Sequence, residues 1–210
     1  ADPTLAINGH FVEPWSTNHP FIDISKQMSS WDSASGNVDW MIANGHVDAD
    51  TTWITSTTLP NNFFKTLTVH ANDTFLNGKQ YRMQWTGAGT MTAPAGSTID
   101  STSANEIVFT LGNVTGTNVQ VIATSGPISS LTVVDTTHTT RFDAGERIDP
   151  NYAGLIADVR TMRFMDWNHT NASPQTTWSS RPVETQNSFG KDGNGDTITN
   201  KPGIPISLMV

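Results

Sequence analysis

From about Phe21 to Asp135 the chain is interrupted every few residues by Gly, Pro and Asn clusters, and this leaves no room for long helices. "NG", "NDTFLNGK", "GAGT", "APAGS", "GNVTGTN" and "SGP" all permit tight reversals. Between them lie short runs rich in β-branched and aromatic residues: "FIDISKQMSSW", "DTTWITST", "KTLTVHAN", "QYRMQWTG", "NEIVFTLG", "NVQVIAT" and "SSLTVVD". Alternation is clearest where Tyr81, Met83 and Trp85 oppose Gln80, Arg82 and Gln84, the pattern of a strand with one buried and one solvated face. Short strands at this spacing predict an antiparallel β-sandwich or jelly roll.

Composition supports that reading. Charged residues make up only 14% of the 210 residues, so Thr, Ser and Asn must carry the polar surface, and these suit strands and turns better than helices. A net charge of −8 argues against a nucleic-acid partner, because a phosphate backbone would be repelled. Without cysteine there is no disulfide framework, thiol nucleophile or thiolate metal site. No apolar run approaches the roughly 20 residues of a membrane span, so no membrane partner is expected. The start "ADPTLAINGH" reads as the new end left by signal-peptide cleavage or as a cloning scar, and the expectation is a secreted protein. Asn72, Asn113, Asn168 and Asn171 fit the glycosylation pattern, as chance allows in a chain so rich in Thr and Asn.

After Asp135 the character changes. "PNYAGLIADV" reads as a short helix capped by Asp149 with Pro150 in its first turn, and "TMRFMDW" follows as a strand. A helix feeding a strand is α/β grammar, so a boundary is placed near Thr140 to Gly145. Alternation sets Arg163, Met165 and Trp167 on one face of that strand and Met162, Phe164 and Asp166 on the other. At the carboxyl end of a barrel strand, Arg163 beneath Trp167 would suit a sugar, with a flat apolar face beside a hydrogen-bonding fork. The plainer alternative has Asp166 capping the next loop and Trp167 filling a core.

The segment "GLIADVRTMRFMDWNHTNASPQTTWSSRP", with "GIPISLMV" after it, resembles part of large secreted bacterial glycoside-hydrolase-like proteins. The resemblance rests on Arg163, Phe164, Met165, Asp166, Trp167, Thr170, Asn171, Trp178, Arg181 and Pro182, and "HFVEPWSTNHPFIDISKQMSSW" fits the same group. It implies a β-sandwich accessory domain over residues 1–143, followed by the incomplete first βα elements of an α/β (TIM-type) barrel over residues 144–210. It also implies substrate contacts at Arg163, Asp166, Trp167, Asn171, Trp178 and Arg181. The family's catalytic Glu residues belong to later barrel strands, so catalytic carboxylates are expected outside this chain. Ile206-Ser207 stands where the family pattern has Leu-Glu. Among the residues present, Glu13, Glu106, Glu146 and Glu184 are scattered, and none forms the facing carboxylate pair that glycosidic hydrolysis needs.

Other constellations are thinner. In "KDGNGD", Asp192, Asn194 and Asp196 alternate like calcium-loop oxygens, but Thr197 replaces the loop glycine and Gly203 the bidentate Glu, so a solvated turn competes with calcium. Trp15, Trp31, Trp40, Trp53 and Trp85 are either a stacking platform for sugars or the sandwich core; Trp40, beside "MIANGH", is the one expected to be exposed. The dispersed His10, His19, His46, His70, His138 and His169 give no zinc motif, and there is neither a serine elbow nor a phosphate loop. The expectation is therefore a secreted polysaccharide-binding protein. The alternative is a structural or adhesive β protein that self-assembles through strand edges.

Overall fold

The structure, a computed structural model, describes residues 6–8, 12–70, 73, 75–113, 117–159, 161–163, 177–178, 182–187, 189 and 204–208. Its strands are β1 (Ala6–Asn8), β2 (Asp32–Ser33), β3 (Phe63–Val69), β4 (Gln80–Thr86), β5 (Met91–Thr92), β6 (Thr98–Ser103), β7 (Glu106–Thr110), β8 (Thr117–Ala123), β9 (Ser130–Asp135) and β10 (Thr161–Arg163). Its α-helices are α1 (Val38–Ala43), α2 (Thr139–Asp143) and α3 (Pro150–Ile156).

Two four-stranded antiparallel sheets, ordered β2-β3-β8-β5 and β6-β7-β4-β9, form a β-sandwich. Period-2 alternation decides which face each strand buries. In β4 it sends Tyr81, Met83 and Trp85 inward, and in β3 it sends Phe63, Lys65, Leu67 and Val69 inward. Phe109, Val121, Leu131 and Val133 meet them from the other strands to make one continuous core. Each large apolar side chain so enclosed contributes about 1.5–3 kcal/mol. The buried polar tips are satisfied: the Tyr81 hydroxyl donates to the Leu76 carbonyl at 3.2 Å, and Trp85 Nε1 donates to the Gly89 carbonyl at 2.9 Å. Burial pushes the Tyr81 hydroxyl's ionisation far up. Gly87, after β4, sits at φ +121°, where a β-carbon would lie 2.3 Å from the Pro127 carbonyl oxygen, so only glycine fits.

Two expected strands are not strands. "FIDISKQMSSW" is a nearly continuous buried segment with a single 3-10 turn at Ile24–Lys26 and isolated bridges at Phe21 and Asp23. "DTTWITST" contributes only bridges at Ile54. Both runs have the composition of strands, but their backbone groups find partners in loops and side chains instead. Conversely β6 reads "TIDSTS", lies at a sheet edge with every residue exposed, and carries no apolar alternation to announce it. It is bulged between Ile99 and Ser101.

The helix expected after Asp149 is present as α3, with Pro150 in its first turn and the Asp149 side chain accepting from the Asn151 amide at 2.8 Å. The strand expected over "TMRFMDW" is present as β10 at Thr161–Arg163; residues 164–167 lie outside the described residues. β10 pairs in parallel with β1, Ala6 opposite Thr161 and Asn8 opposite Arg163, apart from both antiparallel sheets. Among the described residues this is the one parallel pair, and no repeated βα unit that would mark a barrel is present. A second apolar cluster joins Val12 and Phe21 to Tyr152, Phe189 and Ile204, with Met162 of β10 packed against it, so residues from both sides of position 143 share it. Among the described residues no helix is long and apolar enough to cross a membrane.

Candidate functional site

The buried segment 21–31 supplies the site's floor. A buried loop must find partners for its polar groups, and this one finds most of them through its side chains. Asp23 Oδ1 caps the 3-10 turn by accepting from the Ser25 amide at 3.0 Å, and it also accepts from the Val133 amide of β9 at 2.9 Å. The Ser25 hydroxyl donates to the Leu131 carbonyl at 3.1 Å, and Gln27 Nε2 donates to the Ser16 carbonyl at 2.9 Å. His19, also buried, lies 3.1 Å from Gln27 Oε1 and 3.2 Å from Asp73 Oδ2. Burial alone would raise the Asp73 carboxyl, but bonds from His19 and from the Phe75 and Leu76 amides outweigh it and lower its pKa.

Across this floor run residues 184–187 and Phe189, together called the strap. Its carbonyls are held from below: Trp53 Nε1 donates to Thr185 at 2.8 Å, Lys26 Nζ to Gln186 at 2.5 Å, and Lys65 Nζ to Asn187 at 2.6 Å. Lys65 Nζ also donates to Asn187 Oδ1 and, at 3.0 Å, to the Ser25 carbonyl. The Asn187 amide donates to the Thr51 carbonyl at 3.2 Å and the Phe189 amide to the Lys26 carbonyl at 2.8 Å. Lys65 is 0% exposed, a consequence of its inward position on β3. Its pKa lies well below the ordinary 10.5, first because burial disfavours the ammonium and then because Lys26 is near, with Asp23 opposing. Lys26 is lowered too, again by burial, with Asp23 opposing and Arg147 assisting.

Between floor and strap is a cavity of about 300 Å³. Phe21, Trp53, Phe142 and Phe189 give it aromatic walls, while Asp23, Lys26, Arg147 and Glu184 bring two carboxylates and two cations to its lining. Lys26 Nζ sits 5.3 Å from the Phe189 ring centroid and 5.8 Å from that of Trp53. Arg147 lies 4.6 Å over the Phe142 ring, its Nη1 donates to the Phe142 and Glu146 carbonyls, and its Nε is 4.0 Å from Glu184 Oε2. Glu184 Oε1 accepts from the Ser207 hydroxyl at 2.7 Å. Asp23 is 3% exposed, and its Oδ2, itself enclosed by protein, has no hydrogen-bond partner among the described residues. A mixed aromatic and polar concavity of this size can enclose a small ligand or one unit of a larger one.

The residues singled out in the sequence lie elsewhere or outside the described residues. Arg163 is exposed on β10, and Trp178 is 79% exposed; neither lines the cavity. Trp40, expected to be exposed, is half-buried on α1, packs against the main core and lies 5.4 Å from the His46 ring. Asp166, Trp167, Asn171 and Arg181, and the calcium candidates Asp192, Asn194 and Asp196, fall outside the described residues. Among the described residues no group of three or more His, Asp or Glu side chains is placed to hold a metal. Trp31, Trp53 and Trp85 are buried, as a sandwich core requires, and Trp53 has a second surface on the cavity. Asp23, Lys26, Lys65 and Arg147 were not singled out by sequence motifs. Their one sequence signal is positional: Lys65 stands on the apolar face of an alternating strand, where a lysine is admitted only with carbonyl partners.

No protein-family model and no curated protein matches the chain. Among solved structures, chitinase ChiA74 from Bacillus thuringiensis aligns over 34% of this chain and 13% of its own length, at 14% identity and a TM-score of 0.19. A superposition that poor carries no conclusion about fold or activity.

Proposed function

We propose that the chain is a secreted carbohydrate-binding protein, and that the cavity under the strap receives one glycosyl unit of a polysaccharide. The supporting observation is the meeting of aromatic faces, those of Phe21, Trp53 and Phe189, with buried charged and hydrogen-bonding groups in one concavity. Sugars present apolar C–H faces and hydroxyl edges, so they are bound by rings on one side and polar side chains on the other. The proposed activity is binding and positioning, not cleavage. Asp23 Oδ1 is tied to two amides and Glu184 bonds Ser207, so neither carboxylate is assigned a catalytic step.

The finer reading joins this proposal: the 163–167 run begins an α/β barrel of a glycoside-hydrolase-like protein, with glycosidic cleavage left to carboxylates outside these residues. The sequence resemblance alone supports it. Affinity electrophoresis through gels containing soluble plant, algal and microbial polysaccharides tests the binding claim. Retardation by at least one of them is the expected result; migration unchanged in every gel sinks it.

One observation favours the rival, a self-assembling structural protein: β6 is a six-residue edge strand with all its residues exposed. Its bulge and its Asp100 are devices that discourage edge pairing. The binding reading is therefore preferred.

A further inference from the structure

Of the charged side chains bordering the cavity, Asp23 is enclosed, and Lys26 Nζ is engaged with the Gln186 carbonyl and two ring faces. Arg147 and Glu184 line the same concavity with side chains 38% and 44% exposed, so an arriving ligand reaches both. The fold holds each of them in place. The Arg147 carbonyl accepts from the Ile22 amide at 2.9 Å, and the next residue, Ile148, bridges to Phe21. The guanidinium lies over the Phe142 ring while its Nη1 donates to the Phe142 and Glu146 carbonyls. Glu184 sits in a turn closed in both directions: the Gln186 amide donates to the Val183 carbonyl, and the Val183 amide donates to Gln186 Oε1, each at 3.0 Å. Its Oε1 is fixed by the Ser207 hydroxyl, and Oε2 is the oxygen paired with Arg147.

Arg147 Nε and Glu184 Oε2 stand 4.0 Å apart, an ion pair too long to be a hydrogen bond. An exposed pair of this kind does little for folding, so a ligand that comes between the two groups sacrifices little. A guanidinium only donates and a carboxylate only accepts, whereas a hydroxyl does both. Resting on the carbohydrate reading above, we infer that Arg147 and Glu184 fix the sugar by its diol: of two adjacent ring hydroxyls, one donates to Glu184 Oε2 and the next accepts from the Arg147 guanidinium. The sugar's C–H face packs against the rings of Trp53 and Phe189. A deoxy sugar lacking either hydroxyl leaves one charged group without its ligand partner. A uronate or an amino sugar meets a like charge beside the opposite one, so the class of ligand is a neutral sugar with an intact vicinal diol.

The test is calorimetric titration of the full chain with gluco-, manno-, galacto- and xylo-oligosaccharides and with their monodeoxy analogues, each lacking one hydroxyl of the terminal unit. Glu184→Gln and Arg147→Lys are the variants. The first keeps an oxygen for the Ser207 hydroxyl, and the second keeps the charge but loses the planar fork. The expected result is that at least one neutral set binds, that loss of either of two adjacent hydroxyls weakens wild-type binding at least tenfold, and that each variant binds the parent sugar at least tenfold more weakly. The losses must also be non-additive: removing the hydroxyl that Glu184 receives costs the Glu184→Gln variant little, an outcome a merely structural role would not produce. Should the variants fail to fold, the wild type still decides, because the deoxy series must single out one adjacent pair. A deoxy series without such a pair, strictly additive losses, or folded variants that bind like wild type overturn this inference while leaving the carbohydrate reading standing. So does failure of all four neutral sets when a polysaccharide gel still retards the chain; failure of both the four sets and every gel overturns the carbohydrate reading as well.

Discussion

Lys65 shows how one residue ties the sandwich to its strap. It points inward because β3 alternates, and it is tolerated there because the Ser25 and Asn187 carbonyls and Asn187 Oδ1 accept from it. Lys65→Met keeps the stem's volume and deletes the donors, leaving buried acceptors unpaired. It is expected to cost about 2 kcal/mol in urea-unfolding free energy, after the relief of no longer burying an amine. The pH dependence has a definite sign. Because the folded-state pKa values of Lys65 and Lys26 lie below 10.5, the unfolded chain holds more protons between those values and 10.5. Stability contributed by these groups therefore rises with pH through that window. Urea midpoints taken at pH 7, 8, 9 and 10 should climb for wild type and climb less for Lys65→Met; equal slopes would contradict the assignment. The alternation that places Lys65 inward is legible in "FFKTLTV", but the carbonyls that receive it lie 40 and 122 residues away in the chain, and no local pattern names them.

At the level of elements, the legible parts were those whose burial has a period. β4 and β7 alternate, and α3 opens with an Asp-Pro cap, so chain-local rules were enough. β6 has no buried face and hence no pattern to read; only its pairing with β7 makes it a strand. Segment 21–31 failed in the opposite way: it is buried almost throughout, so its apolar residues suggest a strand while its Asp, Ser, Lys and Gln are spent satisfying a loop. The strap is polar in sequence and acquires its place through distant partners, the Trp53, Lys26 and Lys65 donors and the Thr51 and Lys26 carbonyls. That is why the cavity beneath it was not foreseen. Asn187→Ala removes Oδ1 and the side-chain amide that reaches the Thr52 carbonyl at 3.4 Å, and should cost about 1–3 kcal/mol. Hydrogen exchange read by mass spectrometry should show the Asn187 and Phe189 amides accelerated well before those of β3 and β4. Uniform acceleration would mean that the strap unfolds only with the core.

Over the whole molecule, two sheets sharing one core set the stability, while a second cluster brings residues near the amino end against others after α3. The two-residue strands β2 and β5 bound one sheet, and the six-residue strands β6 and β9 bound the other. Asp100 on β6 accepts from Gln80 Nε2 at 2.9 Å and from the Thr110 hydroxyl at 2.8 Å, keeping a charge beside the bulge. Sedimentation velocity should show a monomer for the wild type, and Asp100→Val should introduce concentration-dependent association. A wild type that forms regular polymers would favour the structural rival.

The central claim, that a sugar enters the cavity between the sandwich and its strap, is tested most directly by following the indole N–H resonances during titration with a retained neutral oligosaccharide. Trp53 Nε1 donates to the Thr185 carbonyl at the cavity wall, whereas Trp31 and Trp85 are enclosed in the sandwich core. The account predicts saturable movement of the Trp53 signal with those of Trp31 and Trp85 stationary. Saturable binding that leaves Trp53 unmoved and shifts Trp178 or Trp40 instead would place the ligand elsewhere and contradict it.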